Sequence, residues 1–239
     1  TAVKLDPNLA AVHAALGRLR WQEGQRAAAL QCFRRAVEIE PNNHIYRQDL
    51  ATALYLLGQS TEALDAAEAA VALEPQDPNG FIILAQACLA LNRRDEAVQA
   101  LEQAASLESD DPKVQHAVGE LYRQLGDYER AAAHLRKLVE LRPRDAEARN
   151  QLGLVYEHLG ENDRALAQYL RAIELDRDQP EYYLNAGRIY KKRKEYAEAL
   201  HMFRQAVRLE PANAEAYKQL AAVSALNFMA GGNARAAAQ

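Results

Sequence analysis

Thiol chemistry has little to work with in this chain of 239 residues. It holds two cysteines, Cys32 and Cys88, neither in CxxC spacing. Both fall in helical, mostly apolar surroundings and read as small buried hydrophobes; a pair of this kind does not fix a compartment. Aromatics are only 7%, and β-branched residues never form alternating runs, which argues against sheet. Long hydrophobic runs are missing as well. The longest, Phe81 to Leu91, spans eleven residues including Gln86, against the roughly 20 needed to cross a bilayer. No charge sign dominates: the net charge of -4 gives no field to recruit nucleic acid or an anionic membrane surface, so neither nucleic acid binding nor membrane insertion is expected. The six histidines, His13, His44, His116, His134, His158 and His201, show no ligand spacing and no nucleophile motif, and there is no glycine-rich phosphate loop. Catalysis, a metal and a cofactor are therefore not expected.

What is present is an ordinary folded composition, 49% hydrophobic and 26% charged, rich in alanine. The chain reads all-α. It is also periodic. Pro7, Pro41 and Pro75 are 34 residues apart, and the same step reaches Pro143 and Pro211. From Ala29 it gives Ala63, Ala97, Ala131, Ala165 and Ala199 without exception. A third column is always small: Gly17, Ala51, Ala85, Gly119, Gly153, Gly187 and Ala221.

Glycine inside a helix costs about 1 kcal/mol relative to alanine, so a position that accepts only glycine or alanine marks a close helix crossing. The alanines of the Ala29 column, 12 residues further on, are expected to form the matching small face. Gly24, Gly58, Gly126 and Gly160 fall where one helix should end in a left-handed residue. Asn92 and Lys194 take that slot in the third and sixth repeats. Asn43, Asp77, Asp111, Asp145 and Asn213 sit two residues after the proline column as N-caps. At 109 and 177 the proline is absent and reappears as Pro112 and Pro180 in the first helical turn.

The pattern resembles the tetratricopeptide repeat (TPR), a helix-turn-helix unit of 34 residues. The sixth unit carries it as Tyr183, Gly187, Tyr190, Ala199, Phe203, Ala206 and Pro211, and the fifth as Leu152, Gly153, Tyr156, Gly160, Ala165, Tyr169 and Ala172. Six complete units are expected at 10–43, 44–77, 78–111, 112–145, 146–179 and 180–213, followed by a terminal helix over 214–227 and a tail over 228–239. Residues 1–9 resemble the end of a preceding repeat, as if cut from something longer. The resemblance implies a right-handed superhelical solenoid of stacked antiparallel helix pairs, with the first helix of each pair lining a concave groove.

By the same resemblance, the second, fifth, sixth, ninth and twelfth positions of each unit face inward. Partner-binding candidates at these positions are Trp21, Ile45, Tyr55, Ile82 and Leu89 on an apolar N-terminal half, and Arg123, Asn150, Asn185, Arg188 and Lys191 on a polar C-terminal half. The function implied is a non-catalytic protein-interaction scaffold binding a peptide or protein segment in the groove. Two alternatives stand beside it: a targeting or regulatory segment of a larger enzyme or export machine, and a scaffold that self-associates through its terminal repeats. The run KKRKEY, 191–196, reads as a solvated helix C-terminus, with contact to an acidic partner as the other reading.

Some TPR proteins grip the carboxyl terminus of heat-shock chaperones through a Lys and Asn, an Asn, and a Lys and Arg from three successive first helices. Those slots here are Ala14, Arg18, Asp49, Asn79 and Ile83, and none matches. An EEVD-ending peptide is accordingly expected to show no saturable binding in a fluorescence-polarisation titration.

Overall fold

A computed structural model describes residues 9–107 and 110–236, with side chains as far as 229. Among these residues every regular element is a helix. The chain divides into two compact units, 1–125 and 126–239, and the division falls inside the fourth repeat. The first unit contains α1 (Ala10–Gln22), α2 (Arg26–Ile39), α3 (His44–Leu56), α4 (Ser60–Leu73), α5 (Pro78–Ala90), α6 (Arg94–Ser106) and α7 (Pro112–Leu125). The second contains α8 (Tyr128–Leu141), α9 (Ala146–His158), α10 (Asn162–Leu175), α11 (Pro180–Lys192), α12 (Tyr196–Leu209) and α13 (Ala214–Ala236).

Within each unit consecutive helices pack as hairpins, and the hairpins stack. In the first, α3 also touches α5 and α5 touches α7, so first helices of neighbouring repeats lie side by side. First helices begin at 10, 44, 78, 112, 146, 180 and 214, always 34 residues apart. The spacing is enforced chemically at both ends. Asn43, Asp77, Asp111, Asp145 and Asn213 each accept a backbone N–H of the helix they precede, at 2.8–3.1 Å. The turn between the two helices of a repeat is left-handed at Gly24, Gly58, Asn92, Gly126, Gly160 and Lys194, with φ between +59° and +80°.

The small column has a different partner from the one expected. The Ala29 column is completely buried, but it is not what sits against the glycines. A Cβ on Gly153 would lie 2.5 Å from the Tyr169 ring; on Gly17, 2.6 Å from Phe33; on Gly187, 2.6 Å from Phe203. The glycine is therefore the seat of an aromatic ring 16 residues later, on the second helix. Where the column holds alanine, at Ala51 and Ala85, the residue 16 further on is Ala67 or Leu101. Ring and glycine go together because the ring needs the volume that a methyl group would take.

The terminal helix also differs from expectation. It runs to Ala236, past the expected end at 227, because residues 228–236 contain no proline and are half alanine and glycine without a capping residue. Residues 1–8, read as the end of a preceding repeat, and 237–239 of the expected tail lie outside the described residues.

Gly153→Ala sets two effects against each other: a helix-propensity gain of about 1 kcal/mol and an overpacking cost of about 1–3 kcal/mol. Tyr169 is fully buried and its hydroxyl is hydrogen-bonded to Glu157, so the ring has nowhere to move and the cost wins. The variant is expected to lose about 1–2 kcal/mol in urea denaturation. Adding Tyr169→Leu should give a favourable coupling of at least about 1 kcal/mol in a double-mutant cycle, since Ala85 and Leu101 already hold that combination.

Candidate functional site

In the first unit, α1 and α3 are successive first helices, and between them opens a cleft of about 300 Å³. Arg18, Trp21 and Gln22 line it from α1, Asp49, Thr52 and Ala53 from α3, and Phe33 of α2 forms its floor. The floor is reached through the small column: Phe33 lies flat over Gly17, and bulk there would lift it into the cleft. Trp21 is half-buried, with the Arg26 guanidinium 5.7 Å from its ring centroid.

The rim is a forked ion pair in which Arg18 Nη2 and Nε donate to Asp49 Oδ2 at 2.6 and 3.1 Å. The two partners respond differently. The hydrogen bond to Asp49 raises the Arg18 pKa further above neutrality. Burial pushes the Asp49 carboxyl above its ordinary range, and Arg18 recovers only part of that cost. Asp49 is the more enclosed partner, its side chain 22% exposed against 52% for Arg18, so the desolvation cost governs. The cleft thus combines an aromatic wall, an aromatic floor and an incompletely compensated carboxylate.

Trp21 and Tyr55 are the sequence candidates associated with this cleft. Trp21 lines it, and Tyr55, half-buried, follows Thr52 by three residues on α3. Ile45 is exposed at the start of α3, beside a shallow hollow formed by residues 40–45. Ile82 is only 6% exposed, so its surface is spent on packing rather than presented. Leu89 on α5 is half-buried, and Arg123 on α7 forks onto Glu120 at 2.6 and 2.8 Å.

The second unit carries a polar strip on α9, α11 and α13 that largely satisfies itself. Asn150 and Asn185 are each 1% exposed, and Asn185 Nδ2 donates to Asn150 Oδ1 at 2.7 Å. Arg188 Nη2 donates back to Asn185 Oδ1 at 2.5 Å, and Lys191 Nζ to Gln219 Oε1 at 2.9 Å. Glu157 takes both the Tyr169 hydroxyl and the Lys192 ammonium. Burial first, then the Glu157 charge, raises the Tyr169 pKa and keeps that hydroxyl a donor; burial and Glu147 do the same for Tyr182.

The basic run 191–196 is dispersed in the same way. Lys191 and Lys192 bond as above, Arg193 pairs with Asp163 and Glu195, and Lys194 is the left-handed turn residue. Sequence reasoning named Glu157 and Asp49 without seeing their roles. Opposite charges at the ninth and sixth positions of successive repeats, Arg18 and Asp49, were the available signal. Among the described residues no group of three or more metal-ligating side chains occurs and no helix is long and apolar enough to span a membrane.

The buried amide pair makes a direct stability test. Asn150→Ala removes the acceptor of the Asn185 amide in a site with 1% exposure, and the expected loss is about 1–3 kcal/mol. Thermal unfolding followed by circular dichroism would read it, and an unchanged transition would refute the buried bond.

With this geometry in place, comparison with known proteins gives three findings. The family model described as the Cilia and flagella-associated protein 70 C-terminal domain matches residues 1–178, and a TPR repeat model matches residues 187–227. The backbone is similar to that of YrrB, described as a TPR protein with an unusual peptide-binding site, at 24% identity over 78% of this chain and 96% of that one, with a TM-score of 0.65. It is also similar to pilF of Pseudomonas aeruginosa (19% identity, 89% of this chain, 96% of that one, TM-score 0.70) and to MamA of Desulfovibrio magneticus RS-1 (20%, 72%, 97%, 0.63). At such identities the likeness establishes the fold alone. No curated protein matches the chain in sequence.

Proposed function

Because this chain belongs to the tetratricopeptide-repeat family, whose fold is that of a protein-interaction scaffold, we propose that it is a non-catalytic scaffold whose α1–α3 cleft grips a segment of a partner protein. The observation that carries this reading is the open cleft itself, walled by Trp21 and floored by Phe33, on the positions that the family turns inward. A cavity of about 300 Å³ accommodates one large apolar side chain. Asp49 adds direction: a half-buried carboxylate that Arg18 compensates only in part favours a segment bringing an N–H donor or a basic group beside its apolar anchor. The polar strip of the second unit, Asn150, Asn185, Arg188 and Lys191, already bonded within the protein, contributes rigidity more than free contact groups.

Selection from a displayed random-peptide library against the intact protein tests this. Enriched peptides should share an apolar or aromatic anchor. Trp21→Ala should weaken the best of them by about tenfold or more in isothermal titration while helicity stays intact, and acidification should weaken binding from above the ordinary carboxylate range as Asp49 takes up a proton. Enriched peptides whose affinity ignores both Trp21→Ala and Asp49→Asn would sink the assignment.

A further inference from the structure

The terminal helix α13 differs from the other first helices in what covers it. One side, Ala216 and Val223 with Leu220 alongside, is packed on the core it shares with α12. Another side presents Tyr217, Ala221, Ser224 and Phe228, which fall on one stripe because they are spaced by four, three and four residues. In the preceding repeat the same stripe is Tyr183, Gly187 and Tyr190, closed over by α12, whose Phe203 sits on Gly187. Tyr183 is 7% exposed there. Its equivalent Tyr217 is 49% exposed, and Phe228 is 83% exposed. The stripe that elsewhere receives a second helix is bare.

We propose that a second copy of this chain covers it, through an antiparallel α13–α13 pair about a two-fold axis. An isologous antiparallel pairing requires a stripe that reads the same in both directions. Large, small, small, large at spacing four, three, four does so. Tyr217 of each copy then meets Phe228 of the other at both ends of the contact, and Ala221 meets Ser224 in the middle, where the two helices cross and bulk must be least. The Ser224 hydroxyl already donates to the Leu220 carbonyl at 2.8 Å, so it can be enclosed without losing its partner. From Gln219 to Met229 there is no charged side chain, and Lys218 is turned to Glu215 at 3.7 Å, so two identical surfaces meet without like charges in the contact. This goes beyond the peptide-binding reading and shares no residue with the Trp21 cleft, so either can fail alone.

A single helix-on-helix contact is small, so the dimer is expected to be weak, with a dissociation constant on the order of 10 µM. Sedimentation equilibrium of the full chain across that range should show reversible dimerisation. Phe228→Asp, at a side chain with almost no intramolecular contact, should leave helicity unchanged and keep the protein monomeric. Mixed Ala221→Cys and Ser224→Cys variants should form a disulfide-linked heterodimer on mild oxidation, while Cys32 and Cys88, both buried, stay inert in the parent chain. A monomer at every concentration overturns the proposal. So does a dimer that survives Phe228→Asp, or one in which positions 221 and 224 fail to cross-link, since each places the contact elsewhere on the molecule.

Discussion

The packing of an aromatic ring onto a glycine, across the two helices of one repeat, is the contact on which the rest depends. Phe33 on Gly17, Tyr169 on Gly153 and Phe203 on Gly187 each leave less room than a methyl group needs. Helix propensity alone would replace all three glycines by alanine. They are tolerated because the fully enclosed ring removes far more apolar surface from water than the backbone loses in rigidity. The repeats that use alanine at this position follow it with Ala67 or Leu101, so each hairpin is internally matched even though the sequences of the hairpins differ.

Seating the ring inside the hairpin leaves the other positions of the first helix for different work, and the two units use them differently. In the first, Trp21, Phe33 and Asp49 leave an open cleft whose carboxylate is enclosed more than it is compensated. In the second, Asn150, Asn185, Arg188, Glu157, Tyr169 and Lys192 satisfy one another, and the strip is closed by its own hydrogen bonds. Buried polar groups are costly unless paired, so the second arrangement stabilises its unit, while the first retains a surface that gains from a partner. At α13 the seat has no ring to fill it: Ala221 and the aromatic side chains beside it stay in solvent.

How much of this was legible in the sequence follows from which interactions are local. The repeat length, the caps at Asn43, Asp77, Asp111, Asp145 and Asn213, and the turns at Gly24, Gly58, Asn92, Gly126, Gly160 and Lys194 are set by residues within a few positions of one another. That the small column marks a close approach was also legible, although its partner was assigned to the alanines and not to the rings. Side-chain reach decides that question, and an aromatic residue 16 positions away extends further than its Cα position suggests.

The sequence by itself therefore determined the all-helical class, the 34-residue step and the family, because those rest on periodicity and on short-range backbone chemistry. Only the tertiary structure decided which inward positions remain available: that Ile82, Asn150 and Asn185 are enclosed, that Lys191 to Arg193 are bonded within the protein, and that Trp21 borders open space. Availability is a property of what packs against a side chain from a distant part of the chain, and a spacing pattern carries no record of that neighbour.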